Sequence, residues 1–352
     1  MSDIISFNAP TDCGKGKGEG VKKRLGRLLL WGAGLALLGL LINQVGIDQV
    51  WEHITRLGWR IVPVFMIALS WHVSNPLAWQ ACFDRDDPDR LSFWSLFITK
   101  LSGEAIGNVS PASHVGSELA KAYMLRSRMS VTKGLPTVVV NKTIEVVSGL
   151  VFAFTGTLLA FQAFLIPDQI RTGLLAALAL TTLAIVVAVK RQRRNTFGWF
   201  LNVLNSFGLT FLEKRREKIE EIDRNIAAFY HRNPRGFAVS LGFHVLSWFL
   251  GAYEVYYILG ILGESLPFST AYLLTSLSLI INTAFFFVPS GVGVFEGGHV
   301  FLFHLLGLEA GLGLAVGLLR RIRKVFWVIV GFAMLFILSR FRGVSATARP
   351  PV

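Results

Sequence analysis

The sequence is poor in charged residues and in cysteine. Only 16% of its 352 residues are charged, and the two cysteines, Cys13 and Cys82, lie far apart in no metal-ligand spacing. These absences exclude a disulfide framework and a zinc-type site. The sequence also contains no Walker motif and no dinucleotide-binding fingerprint. We therefore expect no cofactor.

Long apolar runs are the main feature that the sequence does have. Hydrophobic residues make up 53% of the chain. They cluster in runs of about the ~20 residues that a helix needs to cross a bilayer. The runs are 28–45, 61–83, 135–165, 172–189, 237–262 and 312–338. This pattern predicts an all-α polytopic membrane protein and argues against a water-soluble enzyme.

Two further apolar stretches are interrupted. Each contains a cluster of proline, glycine and small polar residues, which predicts a helix, a break and a second helix. The stretches are 93–125, interrupted around Asn108 and Pro111, and 269–306, interrupted around Pro289, Gly291 and Gly293.

The positions of lysine and arginine predict the topology. If the N-terminal tail is cytoplasmic and each interrupted stretch enters and leaves on one side, the basic segments all become cytoplasmic, as the positive-inside rule requires. These segments are 121–133, 190–194, 214–235 and 340–352. The net charge of +13 then belongs to cytoplasmic loops and indicates no nucleic-acid partner. We predict about six spanning helices plus two re-entrant helical hairpins in the bacterial inner membrane, with both termini cytoplasmic.

Three positions recur at the same spacing in both halves of the chain: a proline, a glutamate seven residues later and a cation 24 residues after that. They are Pro111, Glu118 and Lys142 in the first half and Pro289, Glu296 and Arg320 in the second. The residue seven positions before each proline is also polar, Glu104 or Asn282. With the predicted topology, the hairpins form an inverted repeat, which places a binding site near the membrane midplane at the broken helices.

The predicted organisation is one transmembrane domain, 28–341, between a basic tail, 1–27, and a C-terminal tail, 342–352. Its two repeats are 61–165 and 237–341, and segment 195–235 joins them. Apolar residues at helical spacing in this segment predict an amphipathic helix on the cytoplasmic surface. These residues are Ile219, Ile222, Ile226 and Phe229. We interpret the segment as a connector, with partner binding as the alternative.

Ionisable residues inside the apolar stretches are candidates for function, because a charge at bilayer depth is costly. In the first half, each acid has a cation three or four positions away on a predicted helix, so local neutral pairs are expected. The pairs are Lys100 with Glu104, Glu118 with Lys121, and Lys142 with Glu145.

The second half has a surplus of cations. Four cations fall within one apolar run, and three acids are available to offset them. The cations are Arg320, Arg321, Arg323 and Lys324, and the acids are Glu254, Glu296 and Glu309. Because arginine binds phosphate bidentately, we expect a phosphate-bearing substrate here. The alternative makes 307–319 a short span of its own and 320–324 an interfacial loop.

Two stretches, 107–126 and 288–297, resemble the signature stretches of the lysylphosphatidylglycerol synthase transmembrane region. The matching positions comprise five in the first stretch, four in the second and an arginine in the following helix. They are Asn108, Pro111, Gly116, Glu118 and Arg126, then Pro289, Gly291, Gly293 and Glu296, then Arg320 or Arg321. Ser117 stands where the family usually has glycine.

The resemblance implies lipid handling rather than enzymatic activity. In the full-length synthases this region moves a modified phospholipid between leaflets, and a soluble aminoacyl-transfer domain follows it; here we expect the stand-alone membrane part. The expected substrate is an anionic phospholipid, a hopanoid or a polyprenyl-linked lipid, held between the two hairpins. The predicted substrate-binding residues are Asn108, Pro111, Glu118, Arg126, Lys142, Glu145, Asn282, Pro289, Gly291, Gly293, Glu296, Arg320 and Arg321.

Two rival functions stay open. An integral-membrane enzyme that transfers a sugar or acyl group to a lipid needs an acid at a water-accessible surface. The dense acidic cluster that offers one consists of Asp84, Asp86, Asp87 and Asp89. A scaffold for lipid-synthesis proteins is the other alternative, with segment 195–235 as its docking helix.

Overall fold

The computed structural model of the protein describes residues 58–84, 87–109, 113–163, 168–206, 210–285, 288 and 291–346. The predicted N-terminal tail and the first apolar run, 28–45, lie outside the described residues. So do Pro111, Pro289 and residues 347–352 of the predicted C-terminal tail.

The first half of the described chain has a long helix, two short helices and a second long helix. A 3-10 turn, Gly58–Ile61, leads into α1 (Val62–Gln80), followed by α2 (Phe93–Val109), α3 (Ser113–Leu125) and α4 (Val131–Ala163). A proline in the first turn of α1 fits the helix start, where the missing N–H has no intrahelical partner anyway. The interruption between α2 and α3 confirms the predicted break in stretch 93–125.

The second half repeats this order after a peripheral helix and a connector. Helix α5 is Asp168–Gln192, and the connector contains α6 (Thr196–Ser206), a 3-10 turn (Thr210–Arg215) and α7 (Arg216–Arg232). Then follow α8 (Pro234–Ile261), α9 (Phe268–Ala284), α10 (Val294–Leu305) and α11 (Ala310–Ala346). The side chain of Asn233 caps α8 by accepting the N–H of Gly236 at 2.8 Å. No strand occurs among the described residues.

Four of the described helices are long and apolar enough to cross a membrane. They are Gly58–Gln80, Val131–Leu159, Arg171–Gln192 and Pro234–Ile261, which confirms four of the predicted runs as candidate spans. Helix α11 has 37 residues but carries a cluster of cations. The short helices contain 12 to 17 residues and so reach only about 18–26 Å at 1.5 Å per residue. The total of six spans and the re-entrant hairpins remain predictions.

Helices α1 and α8, which open the two halves, pack against each other in antiparallel directions. The amide of Asn75 donates to the hydroxyl of Ser247 at 3.3 Å, and the hydroxyl of Tyr257 donates to the carbonyl of Arg60 at 3.1 Å. Residues near the end of α1 therefore contact residues nearer the start of α8, as expected for antiparallel helices. Two inverted copies of one unit would bring their equivalent helices together in this way.

Each half packs its first short helix against the last long helix of the other half. Helix α2 contacts α11, and α9 contacts α4. The hydroxyl of Ser102 donates to the carbonyl of Gly331 at 3.3 Å in the first contact, and Gly156 packs on Ser276 in the second. The two halves are therefore interlocked rather than side by side.

The connector is folded against the bundle. Instead of one amphipathic helix lying on the membrane surface, segment 195–235 forms α6, a 3-10 turn and α7. Ile222 and Ile226 on α7 are buried in an apolar cluster that includes Trp79 and Ile144. The predicted helical spacing is confirmed for α7, but its apolar face covers protein. This packing favours the connector interpretation.

Asp223 on α7 fixes the start of α6. It is only 4% exposed, and its carboxylate accepts the backbone N–H groups of Thr196, Phe197 and Gly198 at 3.1, 3.0 and 2.8 Å. These N–H groups lie at the positive end of the α6 dipole, so the charge is favourable there.

We expect Asp223→Ala to lower the free energy of unfolding by about 1–2 kcal/mol, the upper range for a lost helix cap. Hydrogen exchange at the amides of 196–198 should rise, while exchange in α8 should not. Lys218→Ala, an exposed change on the same helix, is the control. Equal exchange in the two variants would contradict the capping role.

Candidate functional site

Glu296 is the most buried acid at the break between α9 and α10. Its side chain is 0% exposed, and one carboxylate oxygen accepts the N–H of Gly293 at 2.9 Å. Gly291 and Gly293 have φ of 63° and 78°, in the left-handed region that glycine adopts without strain. The chain can therefore turn sharply enough for Glu296 to reach back over the first turn of α10.

Arg321 on α11 binds both oxygens of Glu296. Its Nε donates to Oε1, and its Nη2 donates to Oε2 at 3.0 Å and to the carbonyl of Gly291 at 3.2 Å. A bidentate arginine–carboxylate pair is among the strongest polar contacts in proteins. It joins α11 to the break that precedes α10.

Arg323 forms the second ion pair of α11, with Glu254 on α8. Glu254 is 1% exposed, and its Oε2 accepts from Arg323. The other oxygen of Glu254, Oε1, is buried without a hydrogen-bond partner among the described residues. Such an atom usually binds water or a ligand.

Arg320 forms no ion pair within 4 Å among the described residues, although Glu254 lines the same cavity. Its Nη1 lies 3.3 Å from Nε2 of His299, and its guanidinium lies 5.4 Å from the ring centre of Phe295. Nδ1 of His299 lies 2.8 Å from the carbonyl of Phe295, so it carries the proton and Nε2 is free to accept from Arg320. The Nε of Arg320 is buried without a partner among the described residues. This arginine keeps donor capacity for an anion.

A third charged group lies on α1 and α2. Lys100, 3% exposed, pairs with Glu104 at 3.0 Å and lies 2.5 Å from Nδ1 of His72. The ring of Trp71 lies 4.9 Å from Nζ of Lys100 and 5.6 Å from the guanidinium of Arg323. Trp71 thus contacts cations from both halves.

A small cavity is lined by residues from both halves of the chain. Its volume is about 80 Å³, and its lining includes Glu145, His244, Glu254, Arg320 and Arg323. Glu145 comes from the first predicted repeat and Arg320 from the second. The cavity is large enough for a few water molecules, at about 30 Å³ each in the liquid. A lipid headgroup with its chains does not fit without movement of the helices.

The local pairs predicted for the first half are confirmed. Lys121 pairs with Glu118 at 3.0 Å, and Lys142 pairs with Glu145 at 2.9 Å and lies 4.0 Å from Glu118. These charges also bring α3 and α4 together. The first half therefore neutralises its own ionisable groups, as the spacing predicts.

The predicted surplus of unpaired arginines is wrong for two of the three. Arg321 pairs with Glu296 and Arg323 with Glu254, whereas Arg320 forms no ion pair within 4 Å in the described chain and shares the cavity wall with Glu254. The alternative of an interfacial loop at 320–324 is also wrong, because α11 runs without interruption from Ala310 to Ala346. Helical register, which a charge count ignores, turns Arg320 and Arg321 toward α10 and Arg323 toward α8.

Three other predicted site residues make contacts with residues three or four positions away in the sequence. The amide of Asn108 donates to the carbonyl of Glu104 at 2.9 Å, and that of Asn282 donates to the carbonyl of Ser278 at 2.7 Å. Arg126 is exposed and lies over the ring of Tyr123 at 5.3 Å.

Three histidines add polar contacts that the spacing of charged residues does not predict. His72, His244 and His299 each contact a polar group near the cavity. His244 lies 3.0 Å from the amide oxygen of Asn141. The signal that could have found them is their place in otherwise apolar runs, where a polar ring needs a partner.

The helices and buried charges define an all-helical integral membrane protein, with ionisable side chains from two interlocked halves around a central cavity. Residues 25–332 match the family described as the lysylphosphatidylglycerol synthase TM region. The chain belongs to that family, which confirms the resemblance seen in its signature stretches.

Curated relatives are archaeal proteins described as UPF0104 membrane proteins. The protein of Methanothermobacter thermautotrophicus is 24% identical over 66% of this chain and 72% of its own length. That of Pyrococcus horikoshii is 21% identical over 84% of this chain and 91% of its own. That of Methanocaldococcus jannaschii is 23% identical over 71% of this chain and 76% of its own. No solved structure matches the chain.

Proposed function

We propose that this protein moves a phosphate-bearing membrane lipid between the two leaflets of the bilayer. The observation that carries the proposal is Arg320, a cation in the cavity wall with no ion-pair partner within 4 Å in the described chain. Arg321 and Arg323 have such partners, and both help to hold α11 in place. Arg320 is therefore the arginine with capacity for a lipid phosphate.

The proposed lipid path runs between the two short-helix pairs, α2 with α3 and α9 with α10. The short helices support re-entrant hairpins, because about 18–26 Å is less than the ~30 Å hydrocarbon core. The antiparallel packing of α1 and α8 supports the inverted repeat. Since the cavity holds only about 80 Å³, translocation requires the two halves to separate around it. The same proposal places the protein in the bacterial inner membrane with both termini in the cytoplasm.

The chemistry that we assign to the substrate is a phosphate group beside long apolar chains. An anionic phospholipid and a polyprenyl-linked lipid both have it, whereas a hopanoid without phosphate does not.

Two acids of the cluster proposed for the rival enzyme, Asp87 and Asp89, pair with Lys133 at 3.7 and 2.5 Å. These two acids are therefore paired with a cation rather than free.

Replacing Arg320 with glutamine tests the proposal. We expect at least a tenfold loss of lipid translocation in proteoliposomes, because a charged hydrogen bond contributes about 1.5–3 kcal/mol. The readout is the fraction of a fluorescent phosphatidylglycerol that an external reductant can bleach over time. Arg215→Gln, an exposed change in the connector, is the control.

Both variants should keep the wild-type unfolding temperature. Lipid translocation at the wild-type rate by a folded Arg320→Gln protein would overturn the role of Arg320. Chemical modification of a lipid by the purified wild-type protein would favour the enzyme instead.

A further inference from the structure

A second concave site lies away from the central cavity. It is a groove of about 410 Å³ between α3, α4, α5 and the first residues of α6. Ten of its fourteen lining residues are apolar, among them Leu119, Val139, Ile185 and Ala188. Its volume falls within the roughly 300–1,000 Å³ typical of ligand sites. The groove is therefore large enough for a chain that the central cavity cannot hold.

Four polar side chains interrupt the apolar walls: Glu118, Lys142, Thr143 and Gln192. An ordinary lipid-facing surface of a helix bundle lacks such groups, because each one left unpaired in hydrocarbon is costly. Here Lys142 pairs with Glu145 at 2.9 Å, and the amide of Gln192 donates to the hydroxyl of Thr143 at 2.8 Å. The polar part of the groove is thus built and held in place.

The connector supports the polar wall of the groove. The hydroxyl of Tyr230 on α7 donates to the amide oxygen of Gln192 at 3.0 Å. Burial raises the pKa of Tyr230 from 10.0 to about 12, further above neutral pH. The hydroxyl of Thr143 lies within hydrogen-bond distance of both the oxygen and the nitrogen of this amide, at 3.0 and 2.8 Å.

Cations surround the end of α5 next to the groove. Lys190 and Arg191 lie in its last turn, and Arg193 and Arg194 follow directly. The guanidinium of Arg191 lies 4.4 Å from the ring of Trp199, and that of Arg193 lies 5.5 Å from the ring of Tyr230. Positive charge is thus held where an apolar groove reaches the basic end of the molecule, which complements a phosphate.

We propose that this groove binds a glycerophospholipid, with one acyl chain between α4 and α5 and the phosphate beside Lys142, Gln192 and the cations that follow α5. The proposal deepens the proposed function, on which it rests for membrane orientation, by giving the lipid an entry site on the cytoplasmic side. Glu118 accepts a hydroxyl or ammonium hydrogen of the headgroup. The groove and the central cavity share an ion pair of α4, because Lys142 lines the groove and its partner Glu145 lines the cavity.

Photo-crosslinking tests this site. The full-length protein is placed in phosphatidylcholine vesicles doped with a phosphatidylglycerol that carries a diazirine on one acyl chain, and labelled peptides are mapped. We expect concentrated labelling of 135–146 and 185–192, and competition by unlabelled phosphatidylglycerol but not by a free fatty acid. Ala188→Trp fills the groove and should reduce this labelling at least about tenfold, equivalent to ~1.4 kcal/mol of binding free energy.

Ala184→Trp is the matched control, since Ala184 lies on the same helix, is exposed and does not line the groove. Val146→Trp fills the groove from the opposite wall and serves if Ala188→Trp does not fold. Equal labelling in the filled and control variants would show contact with bulk lipid only and overturn the site. Absence of groove labelling in the wild type would also overturn it.

The groove and the arginine site fail in distinguishable ways. If Arg320→Gln loses translocation while groove labelling disappears only in the filled variants, both proposals stand. Normal translocation by Arg320→Gln together with specific groove labelling would overturn the role of Arg320 and leave the groove proposal intact. Loss of translocation by Arg320→Gln without any specific labelling would overturn the groove alone.

Discussion

Replacement of Glu296 by leucine is expected to cost about 3–5 kcal/mol of stability, because removing one partner of a buried ion pair leaves an uncompensated charge. Arg321 would lose both of its carboxylate bonds, and the N–H of Gly293 would lose its acceptor. The free energy of unfolding in detergent, measured by denaturant titration, is the readout. Glu213→Leu, at an exposed acid of the connector, should change it little.

The double variant Glu296→Leu/Arg321→Leu separates the pair from its surroundings. Well-packed apolar residues can replace a buried ion pair without loss, so we expect the double variant to regain most of the stability. The N–H of Gly293 and the carbonyl of Gly291 would still lack Glu296 and Arg321, which limits the recovery. A double variant as unstable as the sum of the two single variants would contradict a direct pairing.

The sequence predicts those features of this protein that depend only on residues close together in the chain. The break between α2 and α3 falls around Pro111 because proline and its neighbours cannot continue a helix. The pair of Lys142 and Glu145 forms because residues three apart share a helix face. Neither feature depends on how the helices are arranged.

The cation-rich part of α11 was harder to predict because its partners come from other helices. Arg323 pairs with Glu254, which lies 69 residues earlier on α8, and Arg321 pairs with Glu296 on α10. Adjacent helix positions differ by about 100° in direction, so each arginine meets a different neighbour. A charge count finds the surplus but cannot assign the pairs, and it therefore overstates how many arginines are available to a ligand.

The groove between α4 and α5 illustrates a different limit. Its apolar residues, such as Val139 and Ile185, belong to runs that sequence reasoning assigned only to membrane spanning. Lys142 was predicted as a site residue, but Thr143 and Gln192 carry no signal of their own. Their role depends on α5 ending beside α4, which brings Gln192 to Thr143 across 49 residues.

Alanine at Gly331 is expected to destabilise the contact between α2 and α11 by about 1–3 kcal/mol, the usual cost of overpacking. An added Cβ would lie 2.4 Å from the carbonyl oxygen of Leu101 and 2.9 Å from Cβ of Ala105. A backbone oxygen cannot rotate away, so the helices themselves must separate. Gly156→Ala should act similarly between α4 and α9, where the added atom would lie 2.4 Å from Cβ of Ser276.

Gly242→Ala is the matched control and should change stability in the opposite direction. Gly242 lies inside α8, and an added Cβ would meet nothing within 4 Å. Alanine in a helix interior is favoured over glycine by about 0.5–1 kcal/mol, so this variant should unfold at a higher temperature. Because Gly331 and Gly156 lie in different contacts, their effects should add. A stabilising effect of alanine at all three positions would mean that the halves are not interlocked through these glycines.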